Sequence, residues 1–477
     1  MERLTGIDAN FLYMETPAAH MHTIKLAVLE PASGAPSELD DVRRAMRERL
    51  HLLPQFRRRV VPVPLGLHHP VWIEDPTFDL DRHVRAVDLP RPGGWREIED
   101  AVGEIAGRPL DRGRPLWELW LLRGLADGRT ALVAKIHHTL ADGVAVAALL
   151  AGVMGEGDAA APVPPPDAPW TAERLPSRGR LVRDALRDHV PRLRALPRLL
   201  ARTARGLRDG ARLRRGLRAA PPLPLLDAPR TSLNGALRPE RRFALVSLPL
   251  DDVKHVRAAL GVTVNDVVLA LVAGALRRYL DARGELPRRA LVAEVPTSTD
   301  AVDAPRRRTG NRVSNLFTSL CTDVTDPLER VRRIHDVTAA AKEVNRVLGP
   351  ELYREWTDYA PPGPLPAFMR LYSWLRVADH LVPPINVIVS SVPGPRRPLQ
   401  WAGGRLRHLF SVGPLIEGTA LNVTAWSYVD RLDVGVLTCP EHVATPREIA
   451  DGLASALDEL LAAVNAARPV ARAAQRT

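Results

Sequence analysis

The sequence predicts an α/β protein with two lobes that are joined by a long helical crossover. Strand-like and helix-like segments alternate through residues 1–160 and again through 229–477, whereas residues 161–228 are rich in proline, arginine and leucine. A chain of 477 residues, with 45% hydrophobic and 25% charged residues, has ordinary globular composition and is long enough for two or more domains. This composition excludes a collagen-like, a fully disordered or a small disulfide-stapled protein. We therefore predict an N-terminal lobe (1–160), a crossover (161–228) and a C-terminal lobe (229–477).

In the N-terminal lobe, hydrophobic spacing and turn residues predict the elements. Ser37 with Asp40 is typical of a helix cap, and a Gly-containing turn at 126–128 between two apolar runs is typical of a hairpin. Apolar residues at helical spacing predict a helix over 95–106, and a continuous apolar run predicts a buried helix from Val144. The predicted strands are His22–Leu29, Arg59–Val63, Val71–Ile73, Trp117–Leu122 and Thr130–Ile136.

In the crossover, a proline-rich linker over 161–170 precedes leucine and arginine residues at helical intervals over 178–217. Pro191, Pro197 and several glycines predict that this stretch is broken into helical pieces. The C-terminal lobe repeats the mixture of elements. Its predicted helices are Val264–Tyr279, Pro327–Val344, Ala367–Leu381 and one from Pro446 to Ala466, and its predicted strands are Arg242–Leu250, Ala290–Val295, Ile385–Val389, Leu406–Phe410, Ala420–Trp426 and Leu432–Leu437.

The positive charge of the chain is concentrated in the crossover. Residues 171–220 hold fifteen arginines, no lysine and four acidic residues, so this segment accounts for the whole net charge of +11. Three interpretations remain open: a solvated linker, a basic amphipathic helix on an anionic lipid surface, or a nucleic-acid site. Nucleic-acid binding is the least favoured, because few aromatic residues interleave the arginines and no known module is present. We expect no nucleic-acid partner.

Two cysteines, Cys321 and Cys439, cannot form a disulfide framework and fit a reducing compartment. The opening residues lack the apolar core of a signal peptide, and no apolar run approaches the ~18 residues of a membrane span. We therefore expect a cytoplasmic protein that associates only peripherally with the inner membrane or with lipid inclusions.

The segment His137-His138-Thr139-Leu140-Ala141-Asp142-Gly143 carries the candidate chemistry, because it follows a predicted strand and precedes a predicted helix. Neighbouring strand residues point to opposite faces, so only one of the two histidines can face a given cleft. Asp142 can cap the helix or pair with an arginine, and Gly143 can adopt a positive φ. An imidazole can remove a proton from an alcohol or thiol at neutral pH.

Other motifs that would indicate a different chemistry are missing from the sequence. It has no GxSxG nucleophile elbow, no HExxH metal spacing and no phosphate-binding glycine loop. These observations predict direct attack by a histidine-activated nucleophile on an acyl donor, without a metal and without a covalent intermediate.

The segment HHTLADG resembles the HHxxxDG motif of coenzyme A-dependent acyltransferases. Pro115-Leu116-Trp117 and the segment NDVVLA, from Asn265 to Ala270, resemble the bacterial wax ester synthase/diacylglycerol acyltransferase family, as do the opening residues 4–31, GNRVS at 310–314 and VPGP at 392–395. One departure is the pair Ser390-Ser391, where the family usually shows an asparagine, which leaves the role of that side chain open.

The resemblance implies two lobes similar to chloramphenicol acetyltransferase, with an active-site tunnel between them. It implies that acyl-CoA is a co-substrate, with no other cofactor and no metal, and that the acceptor is diacylglycerol or a long-chain fatty alcohol. By the same resemblance His138 is the general base, Asp142 is the structural acid of the motif and His137 supports positioning.

Three further residues are predicted to contact substrate. Gly143 is placed there by the motif. For Asn265 and Asp266, at the start of an apolar helix, we hypothesise oxyanion stabilisation, although the same two residues would also serve as a helix cap.

Two alternative functions remain open at this point. One is a related condensation-type enzyme that uses a carrier-protein thioester, and the other is a non-catalytic lipid-binding paralogue. The paralogue would be expected to lose the motif histidine or aspartate, and both are present. The oligomeric state is unknown.

Overall fold

The computed structural model describes residues 1–32, 34–156, 165–166, 169–300, 307, 310–349 and 351–474, and these residues fold around two large β-sheets. The strands predicted in both lobes are confirmed, with ends that differ by a few residues. The helices are α1 (Gly6–Met14), α2 (Leu39–Arg49), α3 (Trp95–Gly107), α4 (Gly143–Val153), α5 (Arg178–Gly216), α6 (Leu250–Leu260), α7 (Val264–Asp281), α8 (Pro327–Leu348), α9 (Leu352–Thr357), α10 (Pro364–Trp374) and α11 (Pro446–Ala474).

The first sheet has seven strands in the order β5-β6-β7-β2-β14-β13-β8, where β13 is Leu399–Trp401 and β14 is Gly404–Val412. A small sheet, β1-β4-β3, lies beside it. The central strand of the first sheet, β2, pairs antiparallel with β7 on one side and with β14 on the other. The strands of the N-terminal half of the chain are β1 (Glu2–Arg3), β2 (His22–Pro31), β3 (Arg58–Val61), β4 (Val71–Glu74), β5 (Val84–Asp88), β6 (Trp117–Arg123), β7 (Thr130–His137) and β8 (Gly155–Glu156).

The second sheet has six strands in the order β11-β10-β12-β15-β16-β9. The apolar helices α7 and α11 pack together on it, and their buried leucine, valine and alanine side chains form the largest core of the described residues. The strands of the C-terminal half of the chain are β9 (Arg242–Pro249), β10 (Val292–Ser298), β11 (Val313–Ser319), β12 (Val387–Pro393), β13 (Leu399–Trp401), β14 (Gly404–Val412), β15 (Leu421–Tyr428) and β16 (Arg431–Thr438).

The predicted lobe boundaries do not coincide with the sheets. Strands β13 and β14 come from the predicted C-terminal lobe, but they pair within the first sheet, where β14 lies against β2. The physical reason is that β14 is apolar on both faces, since Leu409 packs in one core and Phe410 in another. A segment of the C-terminal half therefore completes the sheet that carries the histidine motif.

The crossover contains one long helix, and the predicted short helical pieces are wrong. Helix α5 continues through Pro191 and Pro197. Two of its glycines serve packing: a Cβ on Gly206 would lie 2.8 Å from the carbonyl oxygen of Leu348, at the end of α8, and one on Gly210 would lie 3.1 Å from the Leu348 side chain. Most of the proline-rich linker predicted over 161–170, and the boundary predicted at 160, lie outside the described residues.

Both cysteines are buried and unpaired. In the described part of the chain, no single helix combines the length and apolar composition needed to cross a bilayer. Helices α6 and α7 meet that criterion only when taken together, and they are bent by 104° relative to each other.

Candidate active site

A cavity of about 300 Å³ lies between the two sheets, at the end of β7. The first sheet contributes β2 and β14 together with His138, which directly follows β7; the second contributes β10, β11, β12 and β15, and helix α1 forms part of the wall. The cavity is lined by Asn10, Phe11, Met14, Met21, Thr23, Lys25, His138, Asp142, Gly143, Glu294, Pro296, Thr297, Ser298, Val313, Asn315, Tyr353, Ile388, Ser390, Ser391, Val392, Pro393, Ser411, Gly413, Pro414, Ile416, Asn422 and Thr424. His138, Asp142 and Gly143 thus meet in one site, which both halves of the chain complete.

Asn311 orients the imidazole of His138. The Nδ2 of Asn311 donates to Asp8 Oδ1 at 2.7 Å and to the carbonyl oxygen of His138 at 2.8 Å. Because the amide nitrogen faces these two acceptors, the amide oxygen is left to accept from His138 Nδ1, 3.0 Å away. The proton of the neutral ring is therefore on Nδ1, and the lone pair of Nε2 is free to accept a proton.

Helix α1 supports this arrangement from the other side. Phe11 stacks on the His138 ring with centroids 4.1 Å apart, and Asp8 accepts from the hydroxyl of Thr5 at 2.6 Å as well as from Asn311. Burial raises the pKa of Asp8 to about 6, although the Thr5 and Asn311 donors oppose the shift. A chain of polar contacts from Asp8 through Asn311 therefore holds the ring of His138.

Burial lowers the pKa of His138 below its ordinary value, although the negative charge of Asp142 and the bond with Asn311 act in the opposite direction. The ring is consequently neutral at pH 7, which is the state that a general base needs.

His137 faces away from the cavity and is buried in the opposite side of the sheet. The backbone N–H of Thr139 donates to its Nδ1 at 3.1 Å, and its Nε2 lies 3.6 Å from Glu15 Oε2. Burial alone would raise the pKa of Glu15, but the contact with His137 and the Arg112 guanidinium lower that pKa to about 2. His137 thus anchors the loop that carries His138.

Asp142 binds the motif loop to Arg307 and to residues 310–312. One carboxylate oxygen caps α4 by accepting from Ala145 N at 2.9 Å. The other accepts from Arg307 Nη2 at 2.6 Å and from the backbone N–H of Arg312 at 2.9 Å. Gly310, whose φ is +71°, donates its N–H to the carbonyl of Leu140 at 2.9 Å. Asp142 therefore helps to position Asn311 against His138.

Gly143 lies in the first turn of α4, and its φ is not positive, contrary to our prediction. The reason for glycine here is space, because a Cβ would lie 3.1 Å from Cγ2 of Val392 in the second sheet. Gly143 therefore permits the close approach of the two halves beside the cavity.

Asn265 and Asp266 do not line this cavity, and the hypothesis that they stabilise the oxyanion is not supported by their location. Asp266 belongs to a capping box at the start of α7, in which it accepts from Thr263 N at 2.9 Å and from the Thr263 hydroxyl at 2.7 Å. Its carboxylate also contacts His335 Nδ1 at 2.8 Å. The capping interpretation therefore fits Asp266, whose Oδ2 accepts these bonds, and Asn265 lies beside it in the first turn of α7.

A second, smaller cavity of about 80 Å³ adjoins the first one and shares Lys25 with it. Its lining is almost entirely apolar, and it includes Trp117, whose indole N–H donates to the Phe56 carbonyl at 2.7 Å. The segment 115–117 is thus a packed strand start. The lining consists of Lys25, Ala27, Met46, Leu53, Phe56, Trp117, Glu118, Leu119, Leu132, Ala134, Ile136, Val146, Leu149, Leu150, Val153, Met154, Trp401 and Leu409.

Sequence reasoning missed four residues that shape the site: Asp8, Phe11, Lys25 and Asn311. We assigned Asn311 no role of its own, although it lies in GNRVS, one of the segments that resemble the acyltransferase family. No group of three or more histidine, cysteine, aspartate or glutamate side chains in the described part of the chain is arranged to hold a metal ion.

Comparison with protein families gives two matches that cover most of the chain. The wax ester synthase/diacylglycerol acyltransferase catalytic domain matches residues 4–268, and the C-terminal domain of the same family matches residues 309–461.

Individual relatives agree with these matches. A Mycobacterium tuberculosis protein described as an inferred diacylglycerol O-acyltransferase is 42% identical over 458 residues, which is 95% of this chain and 94% of the relative. The M. tuberculosis diacylglycerol O-acyltransferase tgs1, also named by inference, is 33% identical over 468 residues, or 97% of this chain and 96% of that relative.

Solved structures agree as well. The wax ester synthase/diacylglycerol acyltransferase of Marinobacter aquaeolei VT8 superposes with a TM-score of 0.69 at 30% identity, covering 98% of this chain and 100% of that one. The first condensation domain of the calcium-dependent antibiotic synthetase shares the fold, with a TM-score of 0.57 at 19% identity over 96% and 95% of the two chains. The predicted two-lobed fold is thereby confirmed, and the chain belongs to the wax ester synthase/diacylglycerol acyltransferase family.

Proposed function

We propose that this protein transfers a fatty acyl group from acyl-CoA to the hydroxyl of diacylglycerol or of a long-chain alcohol, with His138 as the general base. The observation that carries the proposal is the bond between His138 Nδ1 and Asn311 Oδ1, because it leaves Nε2 as a proton acceptor inside the cavity between the lobes. Membership of the family supports the acyl-transfer chemistry.

Two features of the cavity fit these substrates. A polar reaction site lies beside an apolar space, which suits a molecule with a reactive carbonyl or hydroxyl at the end of a hydrocarbon chain. Ser390 and Ser391, which replace the usual asparagine of the family, both line the polar part. Their hydroxyls can donate hydrogen bonds to a substrate oxygen.

The test is an acyl-transfer assay with purified protein, radiolabelled palmitoyl-CoA and either diolein or hexadecanol. We expect a radiolabelled neutral lipid with at least one acceptor, and we expect His138→Ala to reduce kcat at least 100-fold, since general base catalysis contributes about 10²–10⁴-fold. His255→Ala, on α6, is the matched control, because that histidine does not line the cavity. Absence of product with both acceptors, or full activity of His138→Ala, would refute the proposal.

The same assay distinguishes the alternative functions. Palmitoyl-pantetheine replaces palmitoyl-CoA in a parallel reaction, since it presents the thioester as a carrier protein does. A clear preference for the pantetheine donor would favour a condensation-type enzyme, and binding of both lipids without turnover would favour a lipid-binding paralogue.

We also propose that α5 holds the protein on an anionic membrane or lipid-droplet surface. Arg187, Arg194, Arg198 and Arg205 are exposed and form no ion pair with any residue that the structure describes. Large apolar side chains are exposed on the same helix at Leu186, Val190, Leu193, Leu200 and Leu207. This combination of exposed cations and exposed apolar groups is typical of helices that lie on a lipid interface.

Substitution tests this second proposal better than deletion of the helix. Leu181 and Ala185 of α5 are buried against Val63, Val71 and Ile73, so deletion of residues 178–218 would expose part of the core.

The variant replaces the four unpaired arginines of α5 with glutamine. At about 1 kcal/mol for each basic residue near an anionic surface, we expect binding to phosphatidylglycerol vesicles to weaken at least tenfold, with a smaller salt dependence. The matched control removes four exposed arginines elsewhere: Arg91, Arg96, Arg257 and Arg288. Equal loss of binding in the two variants would contradict a specific role of α5.

A further inference from the structure

Lys25 is a buried cation to which the mechanism above assigns no role. It lies in β2, and only 5% of its surface is exposed. Its side chain lines both the cavity that contains His138 and the apolar cavity beside it. Lys25 is therefore located where the polar end of a chain-like substrate would meet the site for its apolar tail.

The contacts of Lys25 differ from those of the other buried lysine of this sheet. Lys135 has a carboxylate partner, since its Nζ lies 3.4 Å from Glu118 Oε2. The Nζ of Lys25 donates to the hydroxyl of Ser411 at 2.5 Å and lies 5.3 Å from the ring centroid of Trp426, and no described carboxylate forms an ion pair with it. Burying an ammonium group without a counter-charge is costly, so packing alone does not explain a lysine at this position.

Lys25 and His138 face the same cavity. Side chains alternate along β2, so Thr23 and Lys25 point to one face, and both line the cavity. The backbone N–H of His138 donates to the Met21 carbonyl at 2.8 Å, so His138 lies beside Met21, which precedes Thr23 and Lys25 and also lines the cavity. Burial is the main cause of the lowered pKa of His138, and the positive charge of Lys25 also lowers it. The two groups are therefore close enough to interact electrostatically.

We propose that Lys25 donates a hydrogen bond to the carbonyl oxygen of the bound acyl thioester and stabilises the negative charge that develops there. This inference rests on the acyl transfer proposed above. An ammonium has three N–H donors, and Ser411 takes one of them, so two remain for the substrate. A fixed donor in a water-poor site stabilises a developing oxyanion more strongly than water does.

The acceptor hydroxyl gives its proton to Nε2 of His138 while its oxygen forms a bond with the thioester carbon. The carbonyl π electrons move onto the oxygen, which Lys25 stabilises, and the carbonyl then re-forms as the carbon–sulfur bond breaks. The coenzyme A thiolate takes the proton from His138, and the products are the ester and free coenzyme A.

The charge state of Lys25 gives the proposal a distinctive pH signature. Burial lowers the pKa of Lys25 to about 7, so the cation is lost as the pH rises through that value, and the rate should fall with it. Burial also raises the pKa of Glu294 to about 7, so a fall in rate above pH 7 also fits the ionisation of this carboxyl group. The titratable groups that share the two cavities with Lys25 are His138, Asp142, Glu294 and Tyr353 in the first and Glu118 in the second.

The first test compares Lys25→Met with Lys135→Met, using palmitoyl-CoA and the better acceptor at pH 6.5. Methionine matches the length of lysine without its charge, and Lys135 is the matched control because it is buried in the same sheet but paired with Glu118. We expect Lys25→Met to lower kcat about 100-fold or more with little change in KM, and Lys135→Met to keep kcat within threefold.

The second test uses Lys25→Arg, which keeps the charge at all accessible pH values. The wild type should lose kcat/KM above about pH 7, and Lys25→Arg should lack this alkaline loss, whereas Glu294→Gln should retain it. This comparison decides the question even if Lys25→Met does not fold.

Each outcome has one interpretation. If the wild-type protein forms no ester, the proposed function fails. If the wild type is active and folded Lys25→Met keeps more than a third of its kcat, or if Lys25→Arg shows the same alkaline loss as wild type, the role of Lys25 is refuted while the proposed function stands.

Discussion

Replacing Asn311 with alanine is the most direct test of how His138 is held. The substitution removes three hydrogen bonds at once: to Asp8 Oδ1, to the His138 carbonyl and to His138 Nδ1. Without the amide oxygen, the Nδ1–H of His138 loses its side-chain acceptor. The ring can then rotate or carry its proton on Nε2, where it can no longer act as a base.

The size of the effect follows from the charge that His138 gains in the reaction. When Nε2 accepts the substrate proton, the Nδ1–H of the resulting imidazolium still donates to Asn311, and a hydrogen bond to a charged group contributes about 1.5–3 kcal/mol. At about 1.4 kcal/mol for each factor of ten, kcat should fall by about tenfold to 150-fold. The loss of a donor to buried Asp8 should also lower the free energy of unfolding by about 1–3 kcal/mol.

The assay is steady-state turnover of palmitoyl-CoA with the better acceptor, together with urea unfolding of each variant. Ser314→Ala is the matched control, because Ser314 is buried in the same segment but contacts Asn345 instead of His138. A folded Asn311→Ala variant that retains at least half of the wild-type kcat would refute the reasoning.

Three further predictions follow from the site. Asp142→Asn breaks a buried ion pair with Arg307 and should lower the free energy of unfolding by about 3 kcal/mol in urea; a loss below about 1 kcal/mol would contradict this role. Asp266→Asn weakens the cap of α7 and should cost about 1 kcal/mol of stability with kcat within twofold of wild type, whereas a tenfold loss of kcat would restore the oxyanion hypothesis. Because burial lowers the pKa of His138, the base stays neutral as the pH falls, so kcat/KM should differ by less than about twofold between pH 6.5 and 5.5 and should decline only in more acidic buffer. An acid limb centred at pH 6.5 or above would disprove the shift.

Local pattern was sufficient to predict the elements that surround the motif. An apolar strand that ends at His137, a histidine pair and an apolar helix from Gly143 are contiguous in the chain, so strand alternation alone indicates that the two histidines point to opposite faces. The structure agrees, since His138 faces the cavity and His137 is buried on the other side of the sheet.

Patterns that depend on distant partners were misjudged. Proline and glycine within 178–217 predicted breaks, but α5 is continuous, and two of the glycines allow the helix to approach the end of α8. Likewise, Asn265 and Asp266 precede an apolar helix, a position that serves a cap or an anion site equally well in sequence. Only the location of that helix, away from the cavity, decides between them.

The sequence by itself indicated the family, the α/β character and His138 as the candidate base, because the motifs and patterns for each lie in contiguous residues. Only the tertiary structure decided which ring nitrogen of His138 carries the proton and which residues surround the ring. Asp8 lies 303 positions from Asn311, and Lys25 lies 386 positions from Ser411, so neither contact leaves a local signal. Both contacts exist because β14 crosses into the first sheet and residues 310–312 pack against the motif loop, which brings groups from both halves of the chain to one cavity.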